Sequence, residues 1–170
     1  LARPNPAHEI LAAWEERGLV DFTVTQNIDG LHRMAGTTRL SEFHGAMGEL
    51  ICVACASRFP ASRELLAPIV PTCPACGGLL KPDFVFFGEG IPHEARASAF
   101  AAAARARLCL IVGSTGQVYP AASVPLAVKE AGGILIEIDP GQTEFSALAE
   151  VRLRMGASEA LREIDAILQR

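Results

Sequence analysis

Leu108-Cys109-Leu110-Ile111-Val112 and Ile134-Leu135-Ile136-Glu137-Ile138 are two short runs made almost wholly of apolar residues. Each ends in a polar turn, Gly113-Ser114-Thr115-Gly116 after the first and Asp139-Pro140-Gly141 after the second. Between them, about Ala121 to Ala131 reads as a helix that stops at Gly132-Gly133. Strand, helix, strand with continuous apolar strands indicates parallel pairing with both faces covered. The pattern extends outward. Phe22-Thr23-Val24-Thr25 is a short buried strand, Ser41 to His44 a second, and Val151 to Met155 a further one. Pro6 to Arg17 has Ile10, Leu11 and Trp14 at helical spacing and stops at Gly18. An alanine-rich helix is expected from His93 to Arg107, and a final one from Ala157 to Leu168. The expected fold is α/β: a Rossmann-like parallel sheet with helices on both faces.

One segment breaks the pattern. Cys52-Val-Ala-Cys55 and Cys73-Pro-Ala-Cys76 lie in a Pro- and Gly-rich stretch from 49 to 81. Each pair can grip a metal from a tight turn, and two pairs complete a tetrahedral four-thiolate shell suited to Zn²⁺. A redox motif needs one such pair, not two. Two disulfides fit less well, because nothing reads as a secretory signal and a chain of 170 residues needs no staples. A closed Cys₄ shell is structural rather than catalytic. The organisation expected is therefore 1–48 plus 82–170 as one nucleotide-binding unit, with 49–81 as an inserted zinc module. Cys109, within an apolar strand, reads as a core residue.

Composition excludes several classes. Half the residues are hydrophobic and a fifth are charged, which is a globular balance. The net charge of −4 gives no basis for direct nucleic-acid binding. A zinc-ribbon nucleic-acid binder is further disfavoured by the lack of a basic and aromatic stripe around the cysteines. No apolar run reaches membrane-spanning length, so no membrane partner is expected and a cytoplasmic location is.

In open α/β sheets, ligands bind beyond the carboxyl ends of the strands. Gln26, Asn27 and Asp29 follow one strand, Gly113, Ser114 and Thr115 another, and Asp139 a third. A Gly-Ser-Thr turn before a helix offers donors to a phosphate or ribose, and an acid after such a strand can hold ribose hydroxyls. Each signal alone is weak, since these are ordinary turn residues. Three in register point to a dinucleotide. His44 alone reads as a loop histidine with one hydrogen bond, and Phe84 and Phe86 as plain core.

Thr25-Gln26-Asn27-Ile28-Asp29-Gly30-Leu31-His32 and Glu42-Phe43-His44-Gly45 resemble motifs of the sirtuins, the NAD-dependent protein deacylases. The two cysteine pairs follow in that family's order, then Lys81-Pro82-Asp83-Phe84-Val85-Phe86-Phe87-Gly88-Glu89, Gly113-Ser114-Thr115, Val118-Tyr119-Pro120 and Glu137-Ile138-Asp139. The resemblance runs along essentially the whole chain. It implies NAD as co-substrate, structural Zn²⁺ on Cys52, Cys55, Cys73 and Cys76, and acyl-lysine proteins or peptides as substrates. His44 is implied as general base. Gln26, Asn27, Ile28, Asp29, Gly113, Ser114, Thr115, Asp139 and Ala157 are implied as cofactor contacts, and Val85, Phe87, Gly88 and Val118 as substrate contacts.

Two positions depart from the family. Sirtuins usually carry Gly-Thr-Ser where this chain has Gly113-Ser114-Thr115, and Asn where it has Asp139. An ionised Asp accepts from both ribose hydroxyls and repels a 2′-phosphate, which favours NAD over NADP. The first strand of the family fold, its Gly-Ala-Gly loop and its flexible cofactor loop are not in this sequence, so the first family strand is expected to be absent. Two readings follow. The chain is part of an NAD-dependent lysine deacylase, or it is a truncated, inactive, zinc-stabilised NAD-site fragment with a binding or regulatory role.

Overall fold

The computed structural model describes residues 2–169. In chain order the elements are α1 (Pro6–Glu16), β1 (Thr23–Thr25), α2 (Leu31–Met34), β2 (Leu40–Glu42), β3 (Gly45–Cys52), β4 (Arg58–Pro60) and α3 (Arg63–Leu66). They continue with β5 (Leu80–Phe84), α4 (His93–Arg105), β6 (Leu108–Val112), α5 (Ser123–Glu130), β7 (Ile134–Ile138), β8 (Val151–Leu153) and α6 (Ala157–Leu168). The two apolar runs that carried the fold reading are β6 and β7, with the expected bounds.

β6, β7 and β8 form one parallel sheet in that order, and β1 pairs in parallel with β2. These are the parallel strands of the expected Rossmann-like α/β fold, set in two ladders: among the described residues no ladder joins β1 or β2 to β6. The expected strand from Ser41 to His44 is displaced, since β2 ends at Glu42 and leaves His44 beyond it. That strand's pairing with β1 stops where β1 stops, at Thr25↔Glu42.

Helices do cover both faces of the β6–β8 sheet. Side chains of a strand alternate between faces. Leu135, fully buried, packs with Val128 of α5, Ala99 and Ala103 of α4 and Phe145. Ile138 packs on the other side with Trp14 of α1 and Ala160 and Leu161 of α6. Trp14 Nε1 donates to Asp165 across 2.8 Å, which fixes α1 against α6. Asn5 caps α1 by accepting from the Ala7 and His8 N–H groups, and Pro6 opens the helix where no N–H is needed.

The cysteine segment folds apart from these layers. β3 pairs antiparallel with β4 on one side and β5 on the other. Its small core is Leu50, Cys52, Cys73 and Leu80, so half of it consists of candidate metal ligands. Among the described residues no helix is long and apolar enough to cross a membrane.

Candidate active site and metal cluster

His44 lies between two structural units. Phe43 just before it is fully buried, and its N–H donates to Thr25 O at 2.9 Å. Gly45 just after it opens β3 with φ +76°, a conformation that favours glycine. A Cβ at Gly45 would sit 2.3 Å from Asp83 O, so only glycine lets β5 approach this closely. The Val85 N–H then donates to His44 O at 2.9 Å. His44 is thus held from both sides by backbone.

The ring is oriented by Gln26. His44 Nδ1 lies 3.1 Å from Gln26 O. A carbonyl oxygen only accepts, so Nδ1 carries the proton and donates it. In the neutral ring this leaves Nε2 with its lone pair. The Gln26 side chain reaches on to Ser114, its Nε2 donating to Oγ at 3.3 Å. Val85, His44, Gln26 and Ser114 are therefore joined by consecutive contacts, although they come from β5, β2, β1 and β6 ends.

The remaining expected residues fall around this line. Asn27 N–H donates to Thr25 Oγ1 at 3.1 Å, and Ile28 O accepts from Met47 N–H at 2.9 Å. Asp29 Oδ1 accepts from Leu31 N–H at 3.0 Å, which starts α2. Asp139 Oδ1 accepts from Gly141 N–H at 2.7 Å. Thr115 O accepts from Glu144 N–H at 3.0 Å, tying the turn after β6 to the segment after β7. The helix expected from about Ala121 starts at Ser123, so no helix opens directly behind Gly113-Ser114-Thr115. Residues 116–122 intervene before α5 starts at Ser123, so any phosphate there meets loop donors rather than a helix end. Among the described residues, Phe87, Gly88, Val118 and Ala157 stand outside the hydrogen-bonded line. Phe87 is fully exposed, Val118 is exposed, and Ala157 packs beside the Trp14 cluster.

Phe84 and Phe86 are not the plain core the sequence suggests. Their rings lie 4.7 Å apart, with Phe84 half-buried and Phe86 exposed. Glu89 sets this loop: it pairs with Lys81 at 2.6 Å and accepts from Phe86 N–H at 3.0 Å. The Lys81 hydrogen bond, followed by that N–H, holds the Glu89 carboxyl below its ordinary value. Lys81 also lies 4.9 Å from the Phe86 ring.

The four expected cysteine ligands converge. Their Sγ atoms all lie within 4.8 Å of one another, with Cys52–Cys76 at 3.5 Å and Cys55–Cys73 at 3.8 Å. Four sulfurs at roughly 2.3 Å from one Zn²⁺ would stand about 3.8 Å apart, so the donor set fits that ion. The Ser57 hydroxyl and N–H draw the Cys55 thiol down to about 6. Cys76 is pushed up to about 12: the Gly78 N–H acts downward, but the neighbouring thiols outweigh it. Crowded thiols resist full ionisation together, and a dication removes that resistance.

The glycine requirement at Gly45 and the Lys81–Glu89 clasp are features that sequence reading missed. Gly45 adjoins a motif histidine, which is the only local signal for it. The clasp has none, because it depends on where the Phe84–Glu89 loop turns.

Comparison with known proteins gives consistent matches. The sequence profile of the Sir2 family matches residues 1–120. An NAD-dependent protein deacylase of Thermococcus kodakarensis is 42% identical over 174 residues, covering 96% of this chain and 66% of the relative. One from Aeropyrum pernix is 42% identical over 158 residues, covering 93% and 64%. A solved Sir2 bound to an acetylated peptide superposes with TM-score 0.95 at 37% identity, covering 99% of this chain and 72% of that one. A Sir2 complex with a p53 peptide and NAD⁺ gives 0.94 at 37%, covering 99% and 71%. The chain spans slightly less than two thirds of the length of these two curated relatives.

Proposed function

Since this chain belongs to the Sir2 family, we propose that the protein is an NAD-dependent protein-lysine deacylase. It transfers an acyl group from a lysine side chain to ADP-ribose and releases nicotinamide. The observation that carries this reading is the His44 tautomer. With Nδ1–H donated to Gln26 O, Nε2 is the basic nitrogen. NAD, when bound, supplies an activated ribose carbon and a leaving nicotinamide. His44 Nε2 takes a proton from a ribose hydroxyl, and the Gln26 carbonyl steadies the ring as charge develops on it.

The other roles follow from position. Gln26, Asn27, Ile28 and Asp29 are assigned to the nicotinamide side. Gly113, Ser114, Thr115, Asp139 and Ala157 are assigned to the adenosine side, and Asp139 favours NAD over NADP. Val85, Phe87, Gly88 and Val118 are assigned to the acyl-lysine peptide, which would lie along the exposed edge as an added strand. Cys52, Cys55, Cys73 and Cys76 would hold one structural Zn²⁺ in a module spanning 49–81, with 1–48 and 82–170 as the nucleotide-binding unit. Unpaired thiols suit a reducing compartment, the cytoplasm.

The test uses the full-length protein with NAD and an acetyl-lysine peptide, and mass spectrometry of the products. Nicotinamide, O-acetyl-ADP-ribose and free lysine should appear in equal amounts. Deacylation without NAD would overturn the proposal. NAD binding with no turnover would leave the inactive binding protein as the better account.

A further inference from the structure

Glu137 is a carboxylate inside a core strand. It lies between Ile136 and Ile138 in β7 and is 1% exposed. Its oxygens accept from the Thr143 hydroxyl, from the Ser146 hydroxyl at 3.0 and 2.8 Å, and from Arg152 Nε at 2.7 Å. Arg152 stands directly opposite in the β7–β8 register. Burial alone would raise the Glu137 carboxyl. The Thr143, Ser146 and Arg152 hydrogen bonds, with the Arg152 charge, outweigh it and hold the group below its ordinary value.

The two hydroxyls do more than satisfy the carboxylate. Ser146 Oγ also accepts from Thr143 N–H at 2.9 Å, and Thr143 Oγ1 accepts from Phe145 N–H at 3.0 Å. Each hydroxyl gives its proton to Glu137 and takes a backbone N–H of the turn. Glu137 therefore sets which way both hydroxyls point, and with them the turn from Thr143 to Ser146.

That turn is the abutment of the Gly113–Gly116 loop. Glu144 N–H donates to Thr115 O at 3.0 Å. Gly116 has φ +77°, and a Cβ there would lie 2.9 Å from both Glu144 Cβ and Phe145 Cε2. The loops after β6 and β7 are thus packed as one unit with Glu137 beneath it. A buried ion pair is weak as a source of stability, and a well-packed apolar residue often does as well. What an apolar residue could not do is orient two hydroxyls at once.

We infer that Glu137 is a positioning residue for the dinucleotide: through Thr143 and Ser146 it holds the loop that takes the adenosine half. The inference rests on the assignment of Gly113–Thr115 to that half. The reacting centre lies at His44, so a slackened loop should weaken nucleotide binding and leave the chemical step nearly unchanged.

The experiment compares full-length wild type with Glu137→Gln and the milder Thr143→Val. It reads ADP-ribose affinity by calorimetry, steady-state kinetics, and amide hydrogen exchange. Glu137→Gln should weaken ADP-ribose and raise the KM for NAD roughly tenfold, the scale of a lost charge-assisted hydrogen bond. Its kcat and peptide KM should stay within about twofold. Exchange should quicken over 113–116 and 143–146 and be unchanged over 45–52. Thr143→Val should move the same quantities the same way by less, and it decides the matter if Glu137→Gln does not fold. Unchanged affinity and exchange in the variants, beside a wild type that binds ADP-ribose, would overturn this inference alone. A fall in kcat with KM for NAD unchanged would overturn it too, marking a structural role only. A wild type that binds no ADP-ribose would overturn the deacylase reading and this inference together.

Discussion

His44 Nδ1 donates to the main-chain oxygen of Gln26 across 3.1 Å, so the histidine's tautomer is set by backbone rather than by a side chain. No acid partner is needed, and no substitution at Gln26 removes the acceptor. The basic Nε2 then depends on backbone geometry, on the β1 end that offers the acceptor and on the β2–β3 turn that presents the ring to it. In the full-length protein His44→Ala should lower deacylation by on the order of 10²–10⁴-fold, the usual contribution of a general base. Melting temperature and ADP-ribose affinity should be nearly kept. Turnover close to wild type would remove His44 from the role.

Gly45 sets the price of placing that histidine. Gly45→Ala meets both a positive φ and the Asp83 carbonyl, which is backbone and has nowhere to go. The variant should lose ~2 kcal/mol or more of stability, from the left-handed penalty plus the displacement of β5. Thermal unfolding measures this. Activity should fall further than stability, because the Val85-to-His44 contact moves with β5. An unperturbed melting curve would show that this position tolerates a Cβ and that glycine is not required there.

Metal removal should act locally first. The β3–β4–β5 unit has only Leu50 and Leu80 as buried apolar residues beside Cys52 and Cys73. Purified protein should contain about one zinc per chain. Chelation should speed amide exchange across 45–84 well before 108–138, since the latter strands have their own core. Protein without zinc that keeps full protection across 45–84, or a Cys52→Ala variant that keeps full zinc, would contradict the site.

Acid should weaken the seat of β2 through Glu15. This α1 residue is 7% exposed and accepts from the Thr38 N–H and hydroxyl and from the Arg39 N–H. Burial raises its carboxyl, but these bonds and the Arg39 charge outweigh that and leave it below 4.5. A depressed folded value means the unfolded chain binds the proton more readily. The contribution is therefore complete above about pH 4.5 and is lost as pH falls through the lower folded value. Glu15→Gln should be less stable than wild type at pH 7, and the gap should close as pH drops below 4.5. A gap independent of pH would show that the charge of Glu15 contributes nothing.

Particular residues show what was legible and why. β6 and β7 were readable to the residue, because their apolar runs and the Gly113 and Asp139-Pro140 stops lie within a few positions of one another, and α6 from the helical spacing of Ala160, Leu161 and Ile164. β2 was misplaced by one residue at its start and two at its end, since a three-residue strand has bounds set by its partner and not by its own composition. The cysteine set was legible because both pairs carry their own spacing. Phe86 was misread as core, because a clasp between Lys81 and Glu89 turns its loop outward.

By itself the chain determined which segments are strands and helices and which four thiols could share a metal, while the roles of His44 and the polar turns came from the family resemblance and are part of the proposed function. The first two are local properties, carried by hydrophobic period, turn chemistry and short motif spacing. Only the tertiary structure decided that β1–β2 and β6–β8 are separate ladders among the described residues. It alone decided that Gln26, 18 residues away, orients His44, and that Glu137 holds the turn beside Thr115. The physical reason is that a buried polar group must find its partner wherever packing brings one. The partner is then chosen by the meeting of distant segments, and no local pattern records that meeting.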